Sequence, residues 1–379
     1  LGFVSSSDVL SIVSDKNPAA AQIKVFLLLP LGLFVLLYFS KLLRGVMALP
    51  EIPLLAVLAL GSFVWIYQPL LTIERAVPLV ITTLVSVTIA SIFSLRKLII
   101  VFGFIGALAM IVSLLAIAAI PGARGIPPWD ETWNGVYNHK NALGANSVLA
   151  MIFTFGATTV TSGFMRRFFQ FSFVLAVVLL IASESRCSQI VAVLSIMAVS
   201  TYFLMKRLAL IWAFGYLFVI IVFLGFTGYL LSTEVLVPVI EAVNRKPTLS
   251  GRLPLWSLMG PYMREEFWLG YGYLAFWDPT SFRVLQLSSR LGLGFSTIYS
   301  HNGLIETWLH LVAVGFVILI IELMRIGRAC FTILRLLTDR TAMISGILVL
   351  IALVVMNTTE SSVLSRTSLT WMAFVAFGT

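Results

Sequence analysis

The feature that most restricts what this chain can fold into is a succession of apolar runs, each closed by a short polar break. They fall at roughly 24–40, 52–68, 76–95, 98–120, 143–163, 168–183, 187–205, 208–231, 303–324, 341–357 and 362–378, and each is long and apolar enough to cross a bilayer. Lipid offers backbone groups no hydrogen-bond partner, so every one is expected to be helical. Of 379 residues, 60% are apolar and 11% charged, with mean hydropathy +1.03, whereas soluble domains run about 45–50% apolar and about 25% charged. A single water-soluble globule is thereby excluded. The expected fold class is all-α: a polytopic membrane helix bundle of about eleven spans.

Basic residues between the runs orient the bundle. After the first run, alternate short loops carry Lys41/Arg44, Arg96/Lys97, Arg166/Arg167, Lys206/Arg207 and Arg325/Arg328/Arg335/Arg340, while the intervening ones carry only Glu74/Arg75, Glu184/Arg186 and Glu360. Positive-inside asymmetry places the five basic loops in the cytoplasm and Leu1 outside. An outside start without a signal segment predicts one earlier span and about twelve in the intact protein. The net charge of +9 is scattered and forms no basic stripe, which argues against nucleic acid as a partner. Cys187 and Cys330 lie far apart with no CxxC and read as packing residues.

Two connections, about 121–142 and 232–302, are long, and by the same parity both lie outside. Long loops in compact proteins are commonly functional or disordered. The second holds Trp256, Tyr262, Phe267, Trp268, Tyr271, Tyr273, Phe276 and Trp277, too many aromatics for a disordered segment. It is expected to fold back as a partly helical lid. Trp129 and Trp133 in the first loop fit an interfacial aromatic belt. The division expected is N-terminal transmembrane helices over 1–120, a functional membrane region over 121–325 including loop 232–302, and C-terminal transmembrane helices over 326–379.

Four polar clusters face this outer side: Tyr137-Asn138-His139-Lys140-Asn141, Ser183-Glu184-Ser185-Arg186, Ser250-Gly251-Arg252 followed by Trp256, and Tyr299-Ser300-His301-Asn302 leading to Glu306 and His310. A guanidinium fork binds phosphate oxygens bidentately and keeps its charge. Arg186 and Arg252 are therefore candidates to hold a pyrophosphate leaving group, and His301 to take a proton from an attacking hydroxyl. Plainer readings stand beside these: Arg186 paired with Glu184 or capping a helix, Arg252 as a solvated loop charge, His301 as an interfacial histidine, and 138–141 as a helix cap. Glu306 and His310, four apart, share a helical face and form a hydrogen-bonded pair without any catalytic role. HExxH spacing is missing, so no metal is expected. The Gly-x-Gly pairs at 270/272 and 292/294 lack a strand–helix context, and no Walker A pattern occurs, so neither a dinucleotide nor ATP is indicated.

Together, Asn-His-Lys-Asn opening a middle span, Ser-x-Ser-Arg at 183–186, Gly-Arg-x-x-x-Trp at 251–256 and Ser-His-Asn-Gly at 300–303 resemble the O-antigen ligase and polymerase superfamily. The run Trp133 to Asn141 looks most like its exopolysaccharide-polymerase branch, of the succinoglycan polymerase type. The similarity covers roughly 125–325. It implies a bacterial inner-membrane glycosyltransferase, working without metal or cofactor, that transfers undecaprenyl-pyrophosphate-linked glycan repeat units to a sugar hydroxyl at the periplasmic face. By motif, Arg186 and Arg252 would bind the pyrophosphate and His301 would activate or position the acceptor. Asn138, His139, Lys140 and Asn141 would line the site with Trp256 and Asn302. Membrane lipid, chain-length regulators and flippases are the partners implied. Two alternatives remain. One is an O-antigen ligase transferring polymer to lipid A core. The other is a lipid-linked oligosaccharide flippase or transporter, although the spans offer few polar groups besides Glu306, His310 and Glu322.

Overall fold

The computed structural model describes residues 18–66, 69–125, 132–137, 139–205, 252–291, 299–336, 340–358 and 360–378. Within them the chain is all-helical: α1 (Pro18–Leu37), α2 (Phe39–Ala48), α3 (Glu51–Gly61), α4 (Pro69–Ile92), α5 (Leu95–Ala119), α6 (Lys140–Val160), α7 (Gly163–Ala182), α8 (Arg186–Met205), α9 (Arg252–Glu265), α10 (Phe282–Arg290), α11 (Gly303–Leu336), α12 (Arg340–Met356) and α13 (Leu369–Gly378).

Five of these helices are long and apolar enough to cross a membrane: α4, α5, α6, α7 and α11. The first expected span is instead a pair, α1 and α2, bent by 84° at Tyr38, and counting that pair as one span gives six. Eleven is therefore more than the described residues show, and for α3 and α13 the reason is length. The 11 residues of α3 and the 10 of α13 rise only about 15–17 Å at 1.5 Å per residue, against a hydrocarbon core of about 30 Å. The apolar run at 362–378 begins with Ser362–Ser368, where serines and a positive-φ Thr367 form turns before α13 starts. The run at 208–231 lies outside the described residues. The multiple apolar helices make the chain an integral membrane protein.

The centre of the bundle is α6, which packs against α5 and α7 on one side and α12 and α8 on the other. Small residues set these distances, as expected where lipid supplies no hydrophobic drive between helices. A Cβ on Gly106 would stand 2.9 Å from Ala150 Cα, and one on Gly144 would stand 2.5 Å from Ser185 Cβ. Around this centre, α4 packs on α2, α3 and α13, and α11 packs on α3. Trp371, fully buried on α13, donates its indole N–H to Thr83 on α4 at 2.8 Å.

The lid expected from the aromatic loop is present in part. Helices α9 and α10 enclose a small apolar core of Leu255, Met259, Phe276, Trp277, Val284, Leu287 and Leu309, the last contributed by α11. The loop enters α11 through a break in that helix. Val312, buried, adopts φ 55° and ψ −154°, a conformation rare for a β-branched residue, and the Leu309 carbonyl accepts from the Tyr271 N–H at 3.0 Å. Gly270, at φ 66°, lies so close that a Cβ there would be 2.4 Å from Val312 Cγ2.

Where α11 begins, the Gly303 N–H donates to the Asn357 carbonyl at 2.8 Å, and a Cβ on Gly303 would overlap the Asn357 side chain. That side chain is committed, since its Oδ1 accepts from the backbone of Ser362 and Val363 at 3.2 and 3.0 Å. Gly303→Ala should therefore cost about 1–3 kcal/mol, the usual range for overpacking. A lowered thermal midpoint of the detergent-solubilised protein, with Gly327→Ala on the same helix, where an added Cβ meets nothing within 4 Å, less affected, is the expected result.

Candidate functional site

Several helices start at one end of the bundle, and each brings a polar side chain there. Lys140 is the first residue of α6, Arg186 of α8, Arg252 the first described residue of α9, and His301 lies two residues before α11. Helix N-termini present free N–H groups and positive dipole ends, so their convergence favours negative charge. The carboxylate that occupies this region is Glu360, from the turn that follows α12.

Glu360 is the hub. Its Oε1 accepts from Arg252 Nη2 at 2.7 Å and from Asn141 Nδ2 at 3.0 Å, and its Oε2 lies 3.4 Å from His301 Nδ1. Arg252 is buried, and its Nη1 contacts Cys187 Sγ at 3.3 Å. Burial alone would push the Glu360 carboxyl up, but the hydrogen bonds and charges of His301 and Arg252 outweigh it and hold the group below its ordinary range. His139 is moved down, first by burial and then by the charges of His301, Lys140 and Arg252, against the pull of Glu360.

His301 is positioned from both sides. Its ring lies 4.3 Å from that of Tyr299, and its backbone sits at φ 56°, a left-handed conformation that a non-glycine residue holds only when its surroundings compel it. The surroundings are well defined. The carbonyl of the preceding Ser300 accepts from Trp256 Nε1 at 2.8 Å, and its backbone N–H donates to Glu306 Oε1. Asn302 on the other side caps α11, accepting from Leu304 and Ile305 N–H at 2.9 and 3.2 Å, and donates to the Thr358 carbonyl. Glu306 in turn accepts from Trp277 Nε1 at 2.7 Å and lies 3.1 Å from His310 Nε2.

Of the residues singled out in the sequence, Arg252, His301 and Asn141 meet at one carboxylate. His139 caps α6 through Nδ1, accepting from Asn141 N–H at 3.1 Å, as the cap reading expected, and Lys140 stands beside it, half-buried. Asn138 lies outside the described residues. Trp256 and Asn302 hold the His301 turn. Arg186 is not in the cluster: it is exposed and donates along its own helix to Gln189 Oε1 at 3.3 Å, although the adjacent Cys187 touches Arg252. Glu360 was read only as a loop charge and Cys187 only as a packing residue, so neither was named as a site residue. A signal for Glu360 was present, since it is the one charge within the polar run Asn357–Ser362, on the same predicted side as the other clusters.

The linkage of this cluster to pH has a definite sign. With its folded value below the usual 4.5, Glu360 contributes stability that is present above about pH 4.5 and lost as pH falls through the lower folded value. His139, also depressed, adds stability present above the ordinary histidine value of 6.5 and lost on acidification. The thermal midpoint of the wild-type protein should be level above about pH 6.5 and fall below it in two stages. Glu360→Gln should remove the more acidic stage, and an unchanged acid limb in that variant would contradict the assignment.

No curated protein matches the chain. Residues 171–321 match the family model described as O-Antigen ligase (Wzy_C), a stretch that runs from within α7 into α11 and holds Arg186, Arg252, Trp256, His301 and Asn302. This region is similar to membrane enzymes of the ligase and polysaccharide-polymerase type.

Proposed function

We propose that this protein is a membrane polysaccharide polymerase of the exopolysaccharide branch. It transfers glycan repeat units from undecaprenyl pyrophosphate to the hydroxyl of a second sugar, at the periplasmic face of a bacterial inner membrane. The observation that carries the reading is the Arg252–Glu360–His301 cluster, which sets a buried guanidinium and an oriented imidazole side by side where several helix N-termini meet.

Each residue has a use in such a transfer. The acceptor O–H gives its proton to His301 as its oxygen bonds to the anomeric carbon. The bond from that carbon to the phosphate oxygen breaks, and its electron pair leaves on the lipid pyrophosphate. Charge develops on the leaving oxygen, where Arg252 and the helix ends stabilise it. With Nδ1 directed at Glu360, the imidazole carries its proton there and leaves Nε2 as the acceptor, the logic of a base oriented by a third group. Cys187 and Glu360 hold the guanidinium, and Asn141 holds Glu360. Arg186 and Lys140 supply cations at the rim. The division of the chain into flanking helices over 1–120 and 326–379 around a functional region over 121–325 is kept in this proposal with one amendment: Glu360 enters the site from the C-terminal part.

Conversion by purified protein of undecaprenyl-pyrophosphate-linked repeat units alone into a ladder of lengths is the expected result. Transfer of polymer to lipid A core would instead make the protein a ligase, and movement of lipid-linked glycan across the bilayer without bond formation would make it a flippase. Arg252→Lys keeps the charge but loses the fork, and should lower the rate about 10²–10³-fold, as does loss of one charge-stabilising donor elsewhere. Glu360→Gln should cost about 10²-fold through misorientation of His301, while exposed Arg186→Ala should weaken substrate binding more than turnover. Normal ladders from the Arg252 variants would overturn the assignment.

A further inference from the structure

Between the end of α3 and the segment joining α9 to α10 lies a cleft of about 310 Å³, lined by Trp65, Tyr271, Phe276, Glu266, Asp278 and Arg283 among others. That volume is at the lower end for small-molecule sites. None of these residues belongs to the Glu360 cluster. We infer that this cleft is a saccharide-binding subsite that holds an uncharged sugar ring of the glycan chain away from the reacting bond. The inference rests on the glycan-transfer reading above.

The lining selects the ligand class. Its rings are held before any ligand arrives: Trp65 Nε1 donates to the Leu269 carbonyl at 2.7 Å, and the Tyr271 hydroxyl bonds the Tyr262 carbonyl and Glu265 Oε2, both at 3.1 Å. Fixed aromatic faces take the C–H face of a pyranose at little entropic cost, and carboxylates accept from its hydroxyls. The charge balance turns phosphate away. Arg283 lies 3.3 Å from Glu265 Oε1 and 4.9 Å over the Tyr271 ring, and against this one cation the lining sets two carboxylates, Glu266 and Asp278, the latter with Oδ1 bonded by Thr280. The same stacking occupies the Tyr271 cation site, which disfavours a cage for ammonium ligands.

The cleft is also wired to the imidazole. Phe276 meets Trp277 edge-on at 4.8 Å, Trp277 donates to Glu306, and Glu306 holds the backbone N–H of Ser300, next to His301. A sugar seated against Phe276 thus bears on the network that sets the His301 turn.

The test uses full-length protein in nanodiscs and, as probe, the glycan freed by mild acid from the polyprenyl-pyrophosphate lipids of the native host, followed by saturation-transfer NMR. Saturable binding is expected. It should weaken at least 10-fold in Trp65→Ala and in Ala275→Trp, which fills the cleft without removing a contact, and stay within 2-fold of wild type in Trp268→Ala, an exposed aromatic of the same segment outside the cleft. Absence of saturable binding by the wild type, wild-type affinity in both cleft variants, or stronger binding of choline than of glycan would each overturn the inference. Failure of the transfer reading shows separately, as no ladder from the wild-type protein given lipid-linked repeat units, and leaves the binding result standing.

Discussion

A carboxylate taken out of water costs several kcal/mol unless its charge is met and its lone pairs are filled. At Glu360 the chain meets that cost with groups far away in sequence: Arg252 is 108 residues distant, His301 59 and Asn141 219. The pairing does not need to add net stability to matter. Its importance lies in the penalty for breaking it, since removing one partner of a buried pair typically costs about 3–5 kcal/mol. The starts of α6, α9 and α11 and the end of α12 are therefore required to arrive at one place, and small residues such as Gly106, Gly144 and Gly303 let them come close enough.

A second buried carboxylate extends the same constraint into the lid. Glu306 takes the Trp277 indole and the Ser300 backbone and stands beside His310, so the aromatic core of the loop and the His301 turn share one anchor. Two residues flanking this anchor, His301 and Val312, hold positive φ and are strained points of that arrangement. Strain of this kind is retained where surrounding bonds over-determine the backbone, and at His301 they do: Trp256, Glu306 and Asn302 hold the residues on either side of it. An imidazole fixed so closely loses little entropy on meeting a substrate, which is the property a positioned proton acceptor needs.

Much of the bundle was legible because lipid imposes one rule on the backbone: α4, α5, α6, α7 and α11 each answer to one expected run, although α4 starts seven residues earlier and α11 ends twelve later than hydropathy placed them. The count of spans was not, because a hydropathy window averages over breaks: the bend at Tyr38 lies within one apolar run, and the polar Ser362–Ser368 turns were merged into the run that ends in α13. At the site, Arg252, His301 and Asn141 were legible from their types and shared side. Glu360 was missed because a lone carboxylate in a short loop looks solvated, and only tertiary structure shows it buried against an arginine. Arg186 misled for the converse reason. Its place beside the cluster is set by the chain, but whether its long side chain turns inward depends on packing around Ser185 and Ser188, which no local pattern encodes.

The exposure of Arg186 fits the chemistry better than burial would. A guanidinium already matched to Glu360 presents little net charge, so Arg252 alone would hold a multiply charged pyrophosphate weakly. A second buried and unmatched cation would be costly to keep in the empty site. Leaving that cation on the rim, hydrated and lightly tethered to Gln189, avoids the cost until the anion itself brings the compensating charge. In the proposed transfer the two tasks are separated by sign: cations and helix ends draw phosphate toward the His301 turn, while the carboxylates of the cleft beside Trp65 repel it and accept hydroxyls, an arrangement suited to a glycan that is anionic at one end and neutral along its length.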